Sequence, residues 1–351
     1  MRRLLASLAA TALLVIPLAS HGEDPAADPP IAVVDLHVDV PWQVHYKGRK
    51  LGLEDGHASL RNLVAGGYAG LVFPIYLPDA KRDAPAATIA DADAIFATIE
   101  KIIAANPTFL PLSARQAEPG KISSFLAIEG GGSFAADITA IDRFIDRGLR
   151  LVSPCHSANS GLASSATGEP VDFGLTEKGK QFAERVYSKG ALIDVSHISD
   201  AAFADLVPIA MAHHAPIVAT HSNARAIGKH PRNLTDAQLK LIAESGGIAG
   251  VNFYAVFTTG KVKATLDDVV KQTLHMVKVA GVDHVAIGSD FDGGIKTPAG
   301  LEDAGKLPDL ARALRRKGMS YDDVLKIFSL NAFRVLGWRP PGTGLPKPPP
   351  G

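Results

Sequence analysis

The feature that most constrains the fold of this chain is a repeated pairing of a short apolar run with a potential metal ligand. The run Phe125–Ile128 leads directly into Glu129 and three glycines. Other runs are followed by ligand-type residues in the same way: His37 and Asp39 after IAVVDL, His197 after ALIDVS, His221 after PIVAT and Asp290 after HVAIGS. In a (β/α)8 barrel the carboxyl ends of all strands share one rim, and active sites of that fold lie there. The pattern therefore predicts that residues far apart in sequence converge at one point.

Eight apolar runs have strand length, and they are continuous rather than alternating, as expected for strands buried on both faces. They are residues 31–36, 70–76, 125–128, 149–153, 191–196, 216–220, 247–253 and 284–289. Helical patterns lie between them, with capping signals at Asp137, Thr235 with Gln238, Thr265 with Asp268, and Ser320 with Asp323. We therefore predict an α/β fold, a (β/α)8 TIM-type barrel. With metal-type ligands on its rim, such a barrel resembles those of the metal-dependent amidohydrolases. A doubly wound open sheet is the alternative, but it would not easily bring together ligands from the first, third, fifth, sixth and eighth strands.

Composition and the two ends indicate an exported protein. The 351 residues are 46% hydrophobic and carry a formal net charge of zero without a basic tract, so we expect no nucleic-acid partner.

Met1–Gly22 has the pattern of a secretory signal, with Arg2 and Arg3 before an apolar stretch shorter than the roughly 20 residues of a membrane span. We expect a signal at 1–22, a polar leader at 23–30, the catalytic barrel at 31–339 and a Pro/Gly-rich tail at 340–351. The expected location is the periplasm or the medium.

Cys155 is the only cysteine, so we expect no intramolecular disulfide and a buried thiol beside His156. The tail contains no hydrophobic stretch that would signal a lipid anchor, and no stable membrane anchor is predicted.

The ligand-type residues divide naturally between two metal ions. In an extended segment, residues two apart point the same way, so His37 and Asp39 can bind one metal together. His197 and His221 follow neighbouring strands and can bind a second metal. Glu129 can lie between them, with one carboxylate oxygen for each ion. The residues thus predict a two-metal hydrolase site.

In these motifs the chain resembles the membrane dipeptidase (renal dipeptidase) family of zinc metallopeptidases. The resemblance runs from Ile31 to Trp338 and is carried by DLHVDVPWQ, AIEGG, SPCHSANS, LIDVSHIS, ATHSNAR, HPRNLTD and AIGSDFDGG. It implies two zinc ions per chain, one on His37, Asp39 and Glu129, the other on Glu129, His197 and His221. It also implies that His156, Arg232 and Asp290 face a small dipeptide substrate.

The expected chemistry agrees with these roles. Two metal ions activate a water molecule and polarise the scissile carbonyl. Asp290 would take the proton of the water and return it to the leaving amine, His156 would stabilise the oxyanion, and the planar fork of Arg232 would bind the free carboxylate. We expect a dipeptidase of this kind, with a D-residue accepted at the C-terminal position left open.

The sequence also permits two alternative functions. The first is an amidohydrolase acting on a cyclic amide, a lactone or a phosphoester; such sites often use a modified lysine after the fourth strand, where this chain reads LVSPCHS. The second is a non-catalytic exported binding protein. The sequence also leaves open zinc against manganese or cobalt, and a homodimer, although the cysteines that form disulfides in animal members are absent.

Overall fold

The computed structural model describes residues 28–80, 86–114, 116–168 and 173–338, and within these ranges eight parallel strands form one sheet. The strands are β1 Val33–Asp35, β2 Tyr68–Tyr76, β3 Ser123–Glu129, β4 Leu149–Val152, β5 Leu192–Ile193, β6 Val218–Ala219, β7 Ile248–Val251 and β8 Val285–Ile287. Their order is β5-β4-β3-β2-β1-β8-β7-β6, and a parallel bridge between Asp194 and Val218 connects the two outer strands. The predicted barrel is confirmed, and the open sheet is excluded.

The helices lie around this barrel. In the described ranges the α-helices are α1 Val40–Lys47, α2 Leu60–Ala65, α3 Ile89–Ala105, α4 Asp142–Asp146, α5 Glu177–Ser188, α6 Asp200–Ala212, α7 Asp236–Glu244, α8 Ala255–Thr259, α9 Leu266–Ala280, α10 Leu307–Arg316, α11 Tyr321–Leu325 and α12 Asn331–Leu336. The capping boxes predicted at Thr235 and Thr265 are both present, and Thr88 forms a third with Asp91. No helix among the described residues is long and apolar enough to cross a lipid bilayer.

Two of the predicted helices are interrupted. After Asp137 the chain first forms a 3₁₀ turn, Ile138–Ile141, and only then α4. After Ser320 the helix widens into a π turn, Lys326–Leu330, between α11 and α12. There the hydroxyl of Ser329 donates to the carbonyl of Leu325, a side-chain bond to the preceding turn of the kind that often bends helices.

Strands β5 and β6 are shorter than the apolar runs 191–196 and 216–220 that predict them. Their last residues leave the ladder because the buried Asp194 carboxylate accepts hydrogen bonds from the backbone N–H groups of Ser196 and Thr220, both at 3.0 Å. The side chain thus replaces ladder bonds and holds the two strand ends together. The apolar runs predict where these strands lie but not where they end.

The core has two layers. One lies between the strands and the surrounding helices, and includes Phe73 of β2 and Phe96 of α3. The other fills the barrel with side chains such as Val34 and Val72, and it includes Phe333 and Trp338 from the C-terminal part of the described chain. Because side chains fill the interior of the barrel, the place for a site is the rim formed by the carboxyl ends of the strands. The predicted signal at 1–22, most of the leader and the tail lie outside the described residues.

Candidate metal centre

The five predicted metal ligands meet at the carboxyl ends of β1, β3, β5 and β6. All are buried, with 1–5% of each residue exposed. On one side, Nε2 of His37 lies 3.4 Å from Oδ2 of Asp39 and 3.6 Å from Oε2 of Glu129. On the other side, Nε2 of His197 and Nε2 of His221 lie 2.9 and 3.6 Å from Oε1 of Glu129. The two oxygens of Glu129 therefore face two different sets of side chains.

Charge is concentrated in the first set. Burial lowers the pKa of His37, but the adjacent Glu129 and Asp39 carboxylates outweigh burial and raise it well above its ordinary value. Burial also raises the pKa of Glu129, yet positive charge on His37 and His156 brings it well below its ordinary value. This part of the site thus stabilises positive charge next to buried carboxylates.

The second set favours neutral imidazoles. Burial lowers the pKa of His197 and of His221 well below the ordinary value, and the positive charge of Arg232 acts in the same direction on both. Their Nε2 atoms lie only 3.0 Å apart. A neutral imidazole with an accessible ring nitrogen is the form that binds a metal ion.

A buried hydrogen-bonded chain selects the tautomer of His221. The hydroxyl of Thr220 is 2.6 Å from Oδ2 of Asp194, to which it donates, and 2.7 Å from Nδ1 of His221. A hydroxyl that donates to a carboxylate must accept at its other contact, so Nδ1 of His221 carries the proton. The lone pair of Nε2 then points at the centre, as in metal sites whose second ring nitrogen is held by a hydrogen bond.

A second buried carboxylate fixes the other side of the rim. Asp35, at the end of β1, accepts from the backbone N–H groups of His37 at 3.2 Å and Ser289 at 2.9 Å, and from the hydroxyl of Tyr68 at 2.9 Å. It therefore connects the ends of β1 and β8, which carry His37 and Asp290. Asp35 and Asp194 carry no recognisable signal in the sequence, because both fall inside apolar runs.

The three residues expected to face the substrate surround this centre. Nε2 of His156 lies 3.8 Å from Oε1 of Glu129. The guanidinium of Arg232 is buried, with Nη2 3.1 Å from Nε2 of His197. The carboxylate of Asp290 accepts from Nδ2 of Asn252 at 3.0 Å. All three line the same cavity as Asp39, Glu129, His197 and His221.

Asp290 lies close enough to His37 and Asp39 for the three to form a potential metal-binding group. Burial and the charge of Asp39 raise the pKa of Asp290 well above its ordinary value. A carboxyl group with a raised pKa is suited to taking up and releasing a proton. Geometry alone thus permits Asp290 to be either a ligand or a proton carrier.

The cavity above the centre has a volume of about 710 Å³. Aromatic and cationic side chains that were not predicted also line it: Trp42, Tyr46, Lys47, Tyr76, Tyr254 and Phe257. Tyr76 is the last residue of β2, so its place at the rim follows from the strand pattern, although tyrosine is not a typical metal ligand. Trp42, Tyr46 and Lys47 lie on α1, where no local signal marks them.

Three further residues near the site have supporting contacts or are buried. Asp292 supports a loop, because its carboxylate binds Arg49 at 2.6 Å and the backbone N–H groups of His57 and Ala58 at 2.7 and 3.1 Å. His230 accepts the backbone N–H of Arg232 at 3.1 Å and also lines the cavity. The buried thiol predicted for Cys155 is confirmed.

The residues present fit divalent metal ions. Nε2 of His37 is buried and makes no hydrogen bond within the described chain, although two carboxylates face it. Three donor atoms of His197, His221 and Glu129 likewise converge on one point. Imidazole and carboxylate donors in this arrangement suit zinc and related ions.

The comparisons with known proteins agree with this geometry. Residues 29–338 match the family described as membrane dipeptidase, peptidase family M19. Dipeptidase tcpJ of Claviceps purpurea is 33% identical over 219 residues, which are 62% of this chain and 51% of that protein. The chain therefore spans about half the length of this curated relative.

Solved structures extend the likeness over most of the chain. A dipeptidase described as a metallopeptidase of family M19 has a TM-score of 0.78 and 29% identity, covering 88% of this chain and 98% of its own. A metallopeptidase from Rhodobacter sphaeroides, liganded with a phosphinate mimic of the dipeptide L-Ala-D-Ala, has a TM-score of 0.78 and 27% identity, covering 88% and 99%. On its barrel, its buried ligand set and the match over residues 29–338, this chain belongs to the membrane dipeptidase family, peptidase family M19.

Proposed function

We propose that this protein is an exported dipeptidase that uses two zinc ions bridged by Glu129. The observation that carries the proposal is the division of the Glu129 carboxylate, whose Oε2 faces His37 while Oε1 faces His197 and His221. Three donors would hold each ion, with Asp39 completing the first set. A single tetrahedral site takes only about four ligands, so five such residues indicate two sites.

When bound, the metal ions would supply an activated water molecule and a polarised scissile carbonyl. Asp290 would hold the proton taken from the water and deliver it to the leaving amine, for which its raised pKa is suited. His156, which borders Glu129, would donate a hydrogen bond to the developing oxyanion. Arg232 would turn from His197 toward the free carboxylate of the substrate.

The size of the cavity supports a short peptide as the substrate, since about 710 Å³ lies within the range for small-molecule sites. The Rhodobacter sphaeroides relative with its L-Ala-D-Ala mimic supports acceptance of a D-residue at the C-terminal position. Export to the periplasm or the medium is supported by the signal pattern of Met1–Gly22. We keep 31–339 as the catalytic domain and propose a small dipeptide, rather than a nucleic acid, as its partner.

The function is tested by comparing zinc-loaded protein on a dipeptide and on its C-terminal amide. We expect hydrolysis of the dipeptide and little of the amide, because the amide offers Arg232 no negative charge. Arg232→Ala should lose about 2–4 kcal/mol of transition-state binding on the dipeptide, the scale for truncating one partner of a buried charge pair. Arg312→Ala, on the exposed side of α10, is the matched control and should keep full activity. Equal rates on the acid and the amide would overturn the assignment.

A further inference from the structure

Lys47 supplies a positive charge on the cavity wall that the proposed reaction does not use. It is the last residue of α1, the helix that starts immediately after Asp39, and it lines the cavity together with Trp42. Its Nζ atom lies 4.9 Å from the centroid of the Trp42 ring. Lys47 is exposed at the rim of the cavity, and such a cation–π contact favours a position of the ammonium over the aromatic ring.

No acidic side chain within the described chain forms an ion pair with Lys47. Lys47 also lines a second groove that contains Asp55 and Asp292, but Arg49 already binds both carboxylates, at 3.2 and 2.6 Å. The carboxylates that line the main cavity, Asp39, Glu129 and Asp290, all belong to the metal centre. The wall formed by α1 is therefore cationic without an anion of its own.

The topology gives this charge a position relative to the substrate. Arg232 lies in the segment after β6, whereas α1 follows β1, three strands farther around the barrel. With the free carboxylate at Arg232 and the scissile bond beside Glu129, the N-terminal residue of a dipeptide extends toward the α1 side. Lys47 ends this eight-residue helix and lines the same cavity, so a long side chain on the N-terminal residue would extend toward it.

We propose that Lys47 binds an acidic side chain on the N-terminal residue, so that the preferred substrates are dipeptides beginning with glutamate. The proposal rests on the dipeptidase function above. Glutamine has the same length and shape as glutamate but no charge, so the ratio of kcat/KM for L-Glu-L-Ala to that for L-Gln-L-Ala isolates the charge. For an ion pair facing solvent we expect a ratio of about five, decreasing as salt is added.

Lys47→Met keeps the stem over Trp42 and removes the ammonium, so the ratio should fall to about one. Lys47→Glu should bring it below one and favour L-Lys-L-Ala. Lys50→Met is the control with the same change of charge: Lys50 is exposed, pairs with Glu54 at 3.4 Å, and should leave the ratio unchanged. L-Ala-L-Glu against L-Ala-L-Gln tests the other position, where no dependence on Lys47 is expected.

A wild-type ratio near one, an unchanged ratio in Lys47→Met, or a dependence on Lys47 at the C-terminal position would overturn the proposal. Absence of hydrolysis of every dipeptide, L-Ala-L-Ala included, would instead contradict the dipeptidase function. In that case calorimetric binding of phosphinate mimics of L-Glu-L-Ala and L-Gln-L-Ala decides about Lys47. Tighter binding of the glutamyl mimic, lost in Lys47→Met, would support the contact, and equal binding would refute it.

Discussion

At the scale of single residues, Glu129 is the residue that both proposed metal sites share, because each of its oxygens faces a different group of ligands. Glu129→Gln keeps the size of the side chain but replaces one anionic oxygen with an N–H donor that cannot bind a metal. We expect both metal ions to bind more weakly together, with near-complete loss of hydrolysis. Elemental analysis after dialysis measures this, with the exposed Glu244→Gln as control. Loss of one metal with full retention of the other would contradict a bridging carboxylate.

Asp290 is the residue whose role geometry leaves divided between ligand and proton carrier. Its φ is +65°, a left-handed conformation that asparagine tolerates far better than most residues. Asp290→Asn should therefore preserve the backbone and keep the contact with Asn252. We expect both metals to remain bound while kcat falls about 10²–10⁴-fold, the usual contribution of a general acid or base. Metal content and kcat on the same preparation separate the two roles, since a ligand would lose metal in step with activity.

At the scale of elements, the ends of β5 and β6 are built to orient ligands rather than to extend the sheet. The chain from Asp194 through Thr220 to Nδ1 of His221 is wholly buried. Thr220→Val preserves shape but removes the hydroxyl, so His221 loses the partner that fixes its tautomer.

For Thr220→Val we expect about 10- to 100-fold weaker binding of one metal ion, as is typical when such supporting groups are removed. Thr220→Ser retains a hydroxyl and should recover most of the affinity. Titration against a competing chelator gives both values. Wild-type affinity in the valine variant would show that packing alone orients His221.

At the scale of the whole molecule, the centre joins four strand ends of the barrel and concentrates buried carboxylates there. Metal binding should therefore stabilise the folded state, by about 2.7 kcal/mol per site at a free metal concentration of 100 times Kd. We expect the thermal midpoint to fall when zinc is removed with a chelator and to return when zinc is restored. Glu129→Gln should show a much smaller difference between the two conditions. Identical midpoints with and without metal in the wild type would contradict this coupling.

Several features of this protein follow from the sequence alone. Continuous apolar runs separated by amphipathic, capped helices predict parallel strands buried on both faces, and the eight-strand barrel confirms this prediction. The rim position of His37, Glu129 and His221 follows as well, because the carboxyl ends of parallel strands share one side of a barrel. These inferences need only local periodicity and chain order.

Other features were decided by the tertiary structure. The separate directions of the two Glu129 oxygens, the support of His221 by Asp194, and the closeness of Asp290 to Asp39 depend on how β1, β3, β5, β6 and β8 are placed around the ring. The cationic wall of Lys47 over Trp42 depends on the path of α1 after β1. Local sequence patterns report burial and backbone preference within a segment. Distances between side chains of different segments are set only when the barrel closes.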